Sequence, residues 1–353
     1  MSIACVDAFS GAGGMALGLQ KAGFDVRISF DNDPLCIATQ KLNPKWFSHD
    51  HEAILASIQE MLGGRLLKLL KMKRGQLPLL AGGPPCQGFS IQRIGSDQDV
   101  RNDLVLYYAR LIDEVRPKMF IVENVPGIIG KRGRAVLEEF TKQIYPLGYC
   151  IQQRALDASH FGVPQRRKRV FIIGERLNLP GDDFIFPKPL ERSPKTVRQT
   201  IGKLPVPPDD GFDHPRVLNH RRDRLSDLNL TRLRNLKEGQ GREHLPVHLL
   251  ADCHKRGASE IGHRNVYGRM VWDAVAPTIT ARFDSFTRGQ FGHPDQDRSI
   301  SLREGALLQT FPLDYNFVGN KVDIARQIGN AVPPLLAERL GTCVLKRLLQ
   351  AQT

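Results

Sequence analysis

Residues 3–14 read Ile3-Ala4-Cys5-Val6-Asp7-Ala8-Phe9-Ser10-Gly11-Ala12-Gly13-Gly14, and an apolar stretch at helical spacing, 15–22, follows directly. A short apolar run, a glycine-rich turn and an amphipathic segment form a strand, turn and helix in which small residues let the backbone approach a ligand closely. Outward from this stretch, apolar runs at 26–30, 77–81, 119–123 and 170–174 predict further strands, with 3–6 as the first. Between them 35–42, 104–115 and 135–144 carry apolar residues on one helical face. The alternation predicts an α/β domain, doubly wound about a mostly parallel sheet, over residues 1–175. A glycine-rich turn alone is more often a tight connection than a cofactor loop, and its spacing departs from the Gly-x-Gly-x-x-Gly of dinucleotide sites.

The texture changes after 175. Pro187, Pro189, Pro194, Pro205, Pro207 and Pro208 interrupt the chain, and Arg221, Arg222 and Arg224 mark a basic stretch. Residues 176–292 are therefore expected to form a smaller irregular unit carrying a binding surface. Helical spacing returns at 302–309 and 335–349, so 293–353 is expected to pack back on the first domain. With 353 residues, 41% of them hydrophobic, the chain can bury one large core and a smaller one, which excludes wholesale disorder. A formal net charge of +13 favours a polyanionic partner, nucleic acid first. No basic start with an apolar run opens the sequence and no stretch of about 18 apolar residues occurs, so a cytoplasmic protein is expected. The six cysteines are scattered without metal-ligand or disulfide spacing, so reduced thiols and no metal are expected.

Four places carry candidate chemistry. Asp31 ends the second strand, where a carboxylate can accept hydrogen bonds from both hydroxyls of a ribose, and Asp50 after a third element is a candidate partner for an adenine amino group. In Gly82-Gly-Pro-Pro-Cys-Gln-Gly-Phe-Ser90 two prolines stiffen the backbone just before Cys86 while glycines admit a flat ligand. An arbitrary cysteine is more often a buried inert thiol, but this one occupies a stiff strand-end loop suited to a nucleophile. Glu123 ends another strand at the same sheet edge, where it either meets Cys86 or caps the next element. In Gln165-Arg-Arg-Lys-Arg169, strand alternation points Arg167 and Arg169 to one face, as a pair aimed into a cleft or as part of a solvated basic run.

Taken in order, Asp-x-Phe-x-Gly-x-Gly-Gly, Pro-Cys-Gln-x-Phe-Ser, Glu-Asn-Val, Gln-x-Arg-x-Arg and the late Gln327-Ile-Gly-Asn-Ala-Val332 resemble the motif set of the cytosine carbon-5 DNA methyltransferases. The segment 298–312 is similar to that family's penultimate motif, and only about 175–263 lacks a counterpart. The resemblance implies the fold of class I S-adenosylmethionine-dependent methyltransferases with a target-recognition region at 176–292. It implies Cys86 as covalent nucleophile on carbon 6 of a flipped-out cytosine, Glu123 on the exocyclic amine and ring nitrogen 3, and Arg167 bracing base and thiolate. For the cofactor it implies Phe9, Gly11, Gly13, Gly14, Asp31 and Asp50, with Leu104 at the adenine and Asn330 and Ala331 on the methionine side. S-adenosylhomocysteine is then the product.

Double-stranded DNA is the implied partner, with Gln87, Ser90, Arg101, Arg169, Arg221, Arg222, Arg269 and Arg282 as expected contacts. A monomer, with or without a cognate restriction endonuclease of a restriction-modification system, suits the compact length. Three rival readings face the same residues. A transfer-RNA cytosine methyltransferase of this fold would carry a Cys-Phe-Thr signature, which is absent. A silent DNA-binding relative would lack Cys86 or Glu123, and a nicotinamide oxidoreductase is disfavoured by the glycine spacing.

Overall fold

The structure, a computed structural model, describes residues 3–85, 103–131, 133–252 and 266–351. The chain forms two compact units, one of Met1–Phe161, Lys168–Glu191 and Val332–Thr353, the other of Gly162–Arg167 and Arg192–Ala331.

The first unit is built on strands β1 (Ile3–Ala8), β2 (Phe24–Asp31), β3 (Glu52–Leu55), β4 (Leu79–Gly82), β5 (Met119–Asn124), β6 (Tyr149–Asp157) and β7 (Lys168–Arg176). They lie in the order β3-β2-β1-β4-β5-β7-β6. The pairs β1–β2, β1–β4, β2–β3 and β4–β5 are parallel, whereas β7 runs antiparallel to both β5 and β6. This is the mixed, mostly parallel α/β architecture expected from the alternation of apolar runs and amphipathic stretches.

Helices α1 (Gly14–Ala22), α2 (Pro34–Leu42), α3 (Gly63–Leu70), α4 (Asp103–Val115), α5 (Arg134–Ile144) and, from the end of the chain, α10 (Pro334–Gln350) cover the sheet. Alternation along β1 divides the two layers. Val6 and Ala8 join a core with Leu80, Phe120 and Val122 of the sheet and Leu66, Tyr108, Ile112 and Phe140 of α3, α4 and α5. Asp7, with the opposite parity, meets the start of α1. On that side α1 and α10 approach so closely that a Cβ on Gly18 would lie 2.4 Å from both the Ala337 Cβ and the Pro334 carbonyl oxygen. Arg347 of α10 is buried, forms an ion pair with Glu175 of β7 and donates to the Pro180 carbonyl at 2.8 Å, fixing the last helix to the sheet.

The second unit holds α6 (Val197–Ile201), α7 (Asp227–Arg234), α8 (Leu302–Leu308) and α9 (Lys321–Asn330) among long irregular segments. Leu233, Leu236, Leu245, Tyr267 and Phe286 form a small core within it. Backbone carbonyls that no ladder pairs must find other donors, and buried guanidinium groups supply them. Arg269 donates to the carbonyls of Leu233, Leu236, His293 and Gln296. Arg303 donates to those of Leu218 and Tyr315. Arg298 instead forms a two-pronged ion pair, 2.7 Å on each side, with buried Glu304.

Candidate active site

In the strand order the chain turns toward β2 after β1 and toward β5 after β4, so the loops leaving these neighbours part at their C-terminal ends. Such a reversal opens the crevice in which doubly wound sheets bind ligands.

The loop after β1 is held in a demanding conformation. Phe9 and Gly11 adopt left-handed φ values of 54° and 51°, and Gly13, which caps α1, has φ 83°. For Phe9 this backbone is strained, and surrounding bonds must enforce it. Ser10 N donates to the Phe30 carbonyl at 3.1 Å, and Gly11 N donates to Asp31 Oδ2 at 2.8 Å. The other oxygen of Asp31 accepts from Asp33 N at 2.9 Å. Burial raises the Asp31 pKa, against these backbone donors. Beneath the loop Asp7 is fully buried; its Oδ2 accepts from Ala16 N at 2.9 Å while its Oδ1 has no partner among the described residues. Burial first, then the nearby Asp31 and Glu123, push its pKa well up.

Phe9, Phe30, Asp31, Ala56, Ile58 and Leu104 line a cleft, to which Asn32, Ser57, Gln59 and Pro85 contribute. Phe9, Asp31 and Leu104, far apart in sequence, are thus brought together. Asp50 is not among them. It precedes β3, whose Glu52 pairs with Ile28 and whose Leu55 pairs with Asp31, so Asp50 stands at the opposite end of the strand. There it is exposed, 3.2 Å from the His49 ring and 4.0 Å from Arg27. Asp50, for which an adenine contact is expected, stands away from this cleft, and residues 56–59, which leave β3 at the ligand edge, line it. The short apolar run Ala53-Ile54-Leu55 was the signal that could have found them.

At the end of β4 the glycine-proline loop runs along Glu123. A Cβ on Gly83 would lie 3.2 Å from Glu123 Oε2, and Asn124 Nδ2 donates to the Pro84 carbonyl at 3.0 Å. A side chain at 83 would crowd this carboxylate. Arg169 Nε stands 2.9 Å from Glu123 Oε1, with both side chains largely buried. Cys86, Gln87, Ser90 and Arg101 lie outside the described residues.

Arg167 has a different environment from the one alternation suggested. Strand β7 begins at Lys168, so Arg167 precedes the strand and its parity does not apply. It is 1% exposed, and its guanidinium donates to the carbonyls of Ile279 at 2.9 Å, Gly329 at 2.8 Å and Ala331 at 3.0 Å. Gln309 Nε2 donates to the same Ala331 carbonyl at 2.8 Å and to Ile328 at 2.9 Å. Arg167 therefore braces the backbone that carries Asn330 and Ala331 at the end of α9. Arg269, expected on DNA, is buried with its donors spent on carbonyls and on Asp297. Arg222 donates to the Asp297 carbonyl at 3.0 Å, Arg221 is half-buried, and Arg282, 45% exposed, pairs with Asp284 at 3.1 Å.

Residues 3–346 match the family model described as C-5 cytosine-specific DNA methylase. The chain belongs to this family. As a cytosine-5 DNA methyltransferase it transfers a methyl group from S-adenosylmethionine to cytosine carbon 5 in double-stranded DNA. It is 35% identical over 351 residues to the type II methylase M.HgiDII of Herpetosiphon aurantiacus, covering 98% of this chain and 96% of that one. It is 33% identical to the type II methyltransferase M1.HphI of Haemophilus parahaemolyticus, covering 98% and 87%. A solved structure described as a DNA modification methyltransferase encoded within an Escherichia coli prophage superposes with a TM-score of 0.71 at 26% identity, covering 99% of both chains. Among the described residues of the methyltransferase no group of three or more His, Cys, Asp or Glu is placed to hold a metal ion. Nor, among them, is any helix long and apolar enough to cross a membrane.

Proposed function

We propose that Cys86 and Glu123 carry the methylation reaction, with Arg169 holding Glu123 in place. The observation that supports this most directly is the passage of the 83–85 loop along Glu123, with Asn124 tied to Pro84 and Arg169 on the far carboxylate oxygen. In this reading the Cys86 thiolate adds to carbon 6 of the cytosine. Glu123 hydrogen-bonds the exocyclic amine and ring nitrogen 3, which favours the negative charge that builds in the ring and makes carbon 5 nucleophilic. After methylation, loss of the carbon 5 proton and expulsion of Cys86 restore the aromatic ring and free thiolate. The base must leave the stack for this chemistry, at a cost of a few kcal/mol.

The cleft beside Phe9 suits an adenosyl group: it offers aromatic faces at Phe9 and Phe30, apolar walls at Ile58 and Leu104, and a carboxylate at Asp31 with lone pairs remaining for hydroxyl donors. Buried Asp7 Oδ1, without a donor among the described residues, favours a cationic or donor-bearing ligand nearby. S-adenosylmethionine, when bound, supplies the electrophilic methyl group. Asn330 and Ala331 are assigned to its methionine side, while Gly11, Gly13 and Gly14 keep the loop narrow enough for backbone approach.

Target recognition is assigned to 176–292, with Arg221, Arg222 and Arg282 as contacts from that region and Gln87, Ser90 and Arg101 as contacts from the segment after Cys86. The protein is proposed to act as a cytoplasmic monomer, and the type II names of its relatives favour a partner endonuclease that cuts the same sequence. Incubation with labelled S-adenosylmethionine and mixed-sequence duplex, followed by bisulfite sequencing, should find 5-methylcytosine in one short recurring context. Cys86→Ala should abolish it while duplex binding persists, and retained turnover in that variant would refute the covalent mechanism.

A further inference from the structure

The cofactor loop is approached from behind by a chain of buried polar side chains. Gln40, on α2 and 1% exposed, donates through Nε2 to Ser10 Oγ at 2.8 Å and to the Gly11 carbonyl at 2.7 Å. Its Oε1 accepts from Ser29 Oγ of β2 at 2.5 Å, and Ser29, fully buried, stands 2.8 Å from His51 Nε2. The His51 ring is stacked on Phe47, centroid to centroid 4.3 Å.

The donors and acceptors permit one direction along this chain. Because the Gly11 carbonyl can only accept, the amide nitrogen of Gln40 must face it and donate, which turns the Gln40 carbonyl oxygen toward Ser29. Ser29 then spends its only proton on Gln40, so it can only accept from His51, whose Nε2 must carry a hydrogen. Every member is oriented by the one before it, from the His51 ring to the carbonyl of Gly11. That carbonyl belongs to the left-handed residue whose N–H binds Asp31, so the chain and Asp31 grip the same peptide segment from both ends.

We propose that Gln40 is a positioning residue for S-adenosylmethionine, oriented through Ser29 by His51, and that this relay sets cofactor affinity by fixing the strained loop from Phe9 to Gly13. The inference rests on the assignment of the Phe9 and Asp31 cleft to the adenosyl group. Preorganisation is the physical reason: a loop held in its bound shape spares the ligand the cost of ordering it. No part of the relay needs to touch the ligand.

The test is calorimetric binding of S-adenosylhomocysteine to the full-length protein, beside steady-state kinetics. Gln40→Met keeps the shape and removes both donors, and Gln40→Glu turns a carboxylate toward the Gly11 carbonyl. Both should weaken S-adenosylhomocysteine binding and raise the cofactor KM by about tenfold or more, the usual consequence of stranding a buried acceptor. The kcat at saturating cofactor and the affinity for duplex should stay within about threefold, a split that general loss of folded protein would not give. Ser29→Ala, a smaller change that stays folded if the Gln40 variants do not, should weaken binding alone but add little on top of Gln40→Met, because residues on one network are not additive. Asp31→Ala is the control for the site. If it loses S-adenosylhomocysteine while folded Gln40→Met and Ser29→Ala bind like the wild type, the relay is overturned and the cleft stands. If Asp31→Ala itself binds like the wild type, the cleft assignment falls and the inference with it.

Discussion

Arg167 and Arg169 differ by two positions and act on different things. Arg169 lies against Glu123, and Arg167 is enclosed by the carbonyls of Ile279, Gly329 and Ala331. Replacing Arg169 with Ala should leave Glu123 without its cationic partner. The expected result is a fall in single-turnover methylation rate of about a hundredfold, at the lower end of what a positioned acid or base contributes, with a melting temperature near that of the wild type. Arg167→Ala strips donors from buried carbonyls, so it should cost roughly 2–4 kcal/mol of stability, read in urea unfolding. If Arg167→Ala were as stable as the wild type and slow, the roles assigned to the two arginines would have to be exchanged. In the sequence both are arginines in one basic run. Their chemistry was legible there, but their division of labour depends on where β7 begins, which a hydrogen-bond ladder decides.

The elements that sequence periodicity found are those buried on both faces. Strands β1, β2, β4, β5 and β7 pair on both sides within the sheet and read as apolar runs, as interior strands of α/β proteins do. The edges escaped: β3 is four residues long, and β6 carries Gln152, Gln153 and Arg154, a polar stretch that only its pairing with β7 makes a strand. Helix α1 shows a packing constraint that periodicity does not express. Alanine in place of glycine inside a helix normally gains about 1 kcal/mol. At Gly18 the added Cβ would press on a backbone oxygen and on Ala337, each 2.4 Å away, and such overpacking costs about 1–3 kcal/mol. Gly18→Ala should therefore lower the melting temperature by several degrees, and an unchanged or higher value would show that α10 yields easily.

Across the molecule the charge of +13 predicted an affinity for polyanions, and the family it belongs to acts on DNA. Yet part of the basic complement faces inward: Arg167, Arg269, Arg298, Arg303 and Arg347 are each at most 5% exposed. The exposed remainder should still make duplex binding strongly electrostatic. Raising salt from about 0.05 to 0.2 M should weaken binding to duplex on the order of a hundredfold, and a flat response would argue against phosphate contacts as its main source. Charge counted along a sequence cannot distinguish a phosphate contact from a strut, since both are arginines in irregular chain. Sequence by itself determined the α/β class, the strand-end positions of Asp31 and Glu123, and the order of motifs that marks a cytosine-5 methyltransferase, because these depend on residue type and local period. Only the tertiary structure decided that β7 is inserted antiparallel between β5 and β6, that Asp50 stands at the far end of its strand, and that His51, Ser29 and Gln40 line up behind Gly11. Those facts arise from contacts between residues distant along the chain, and no local pattern encodes which donor will meet which acceptor.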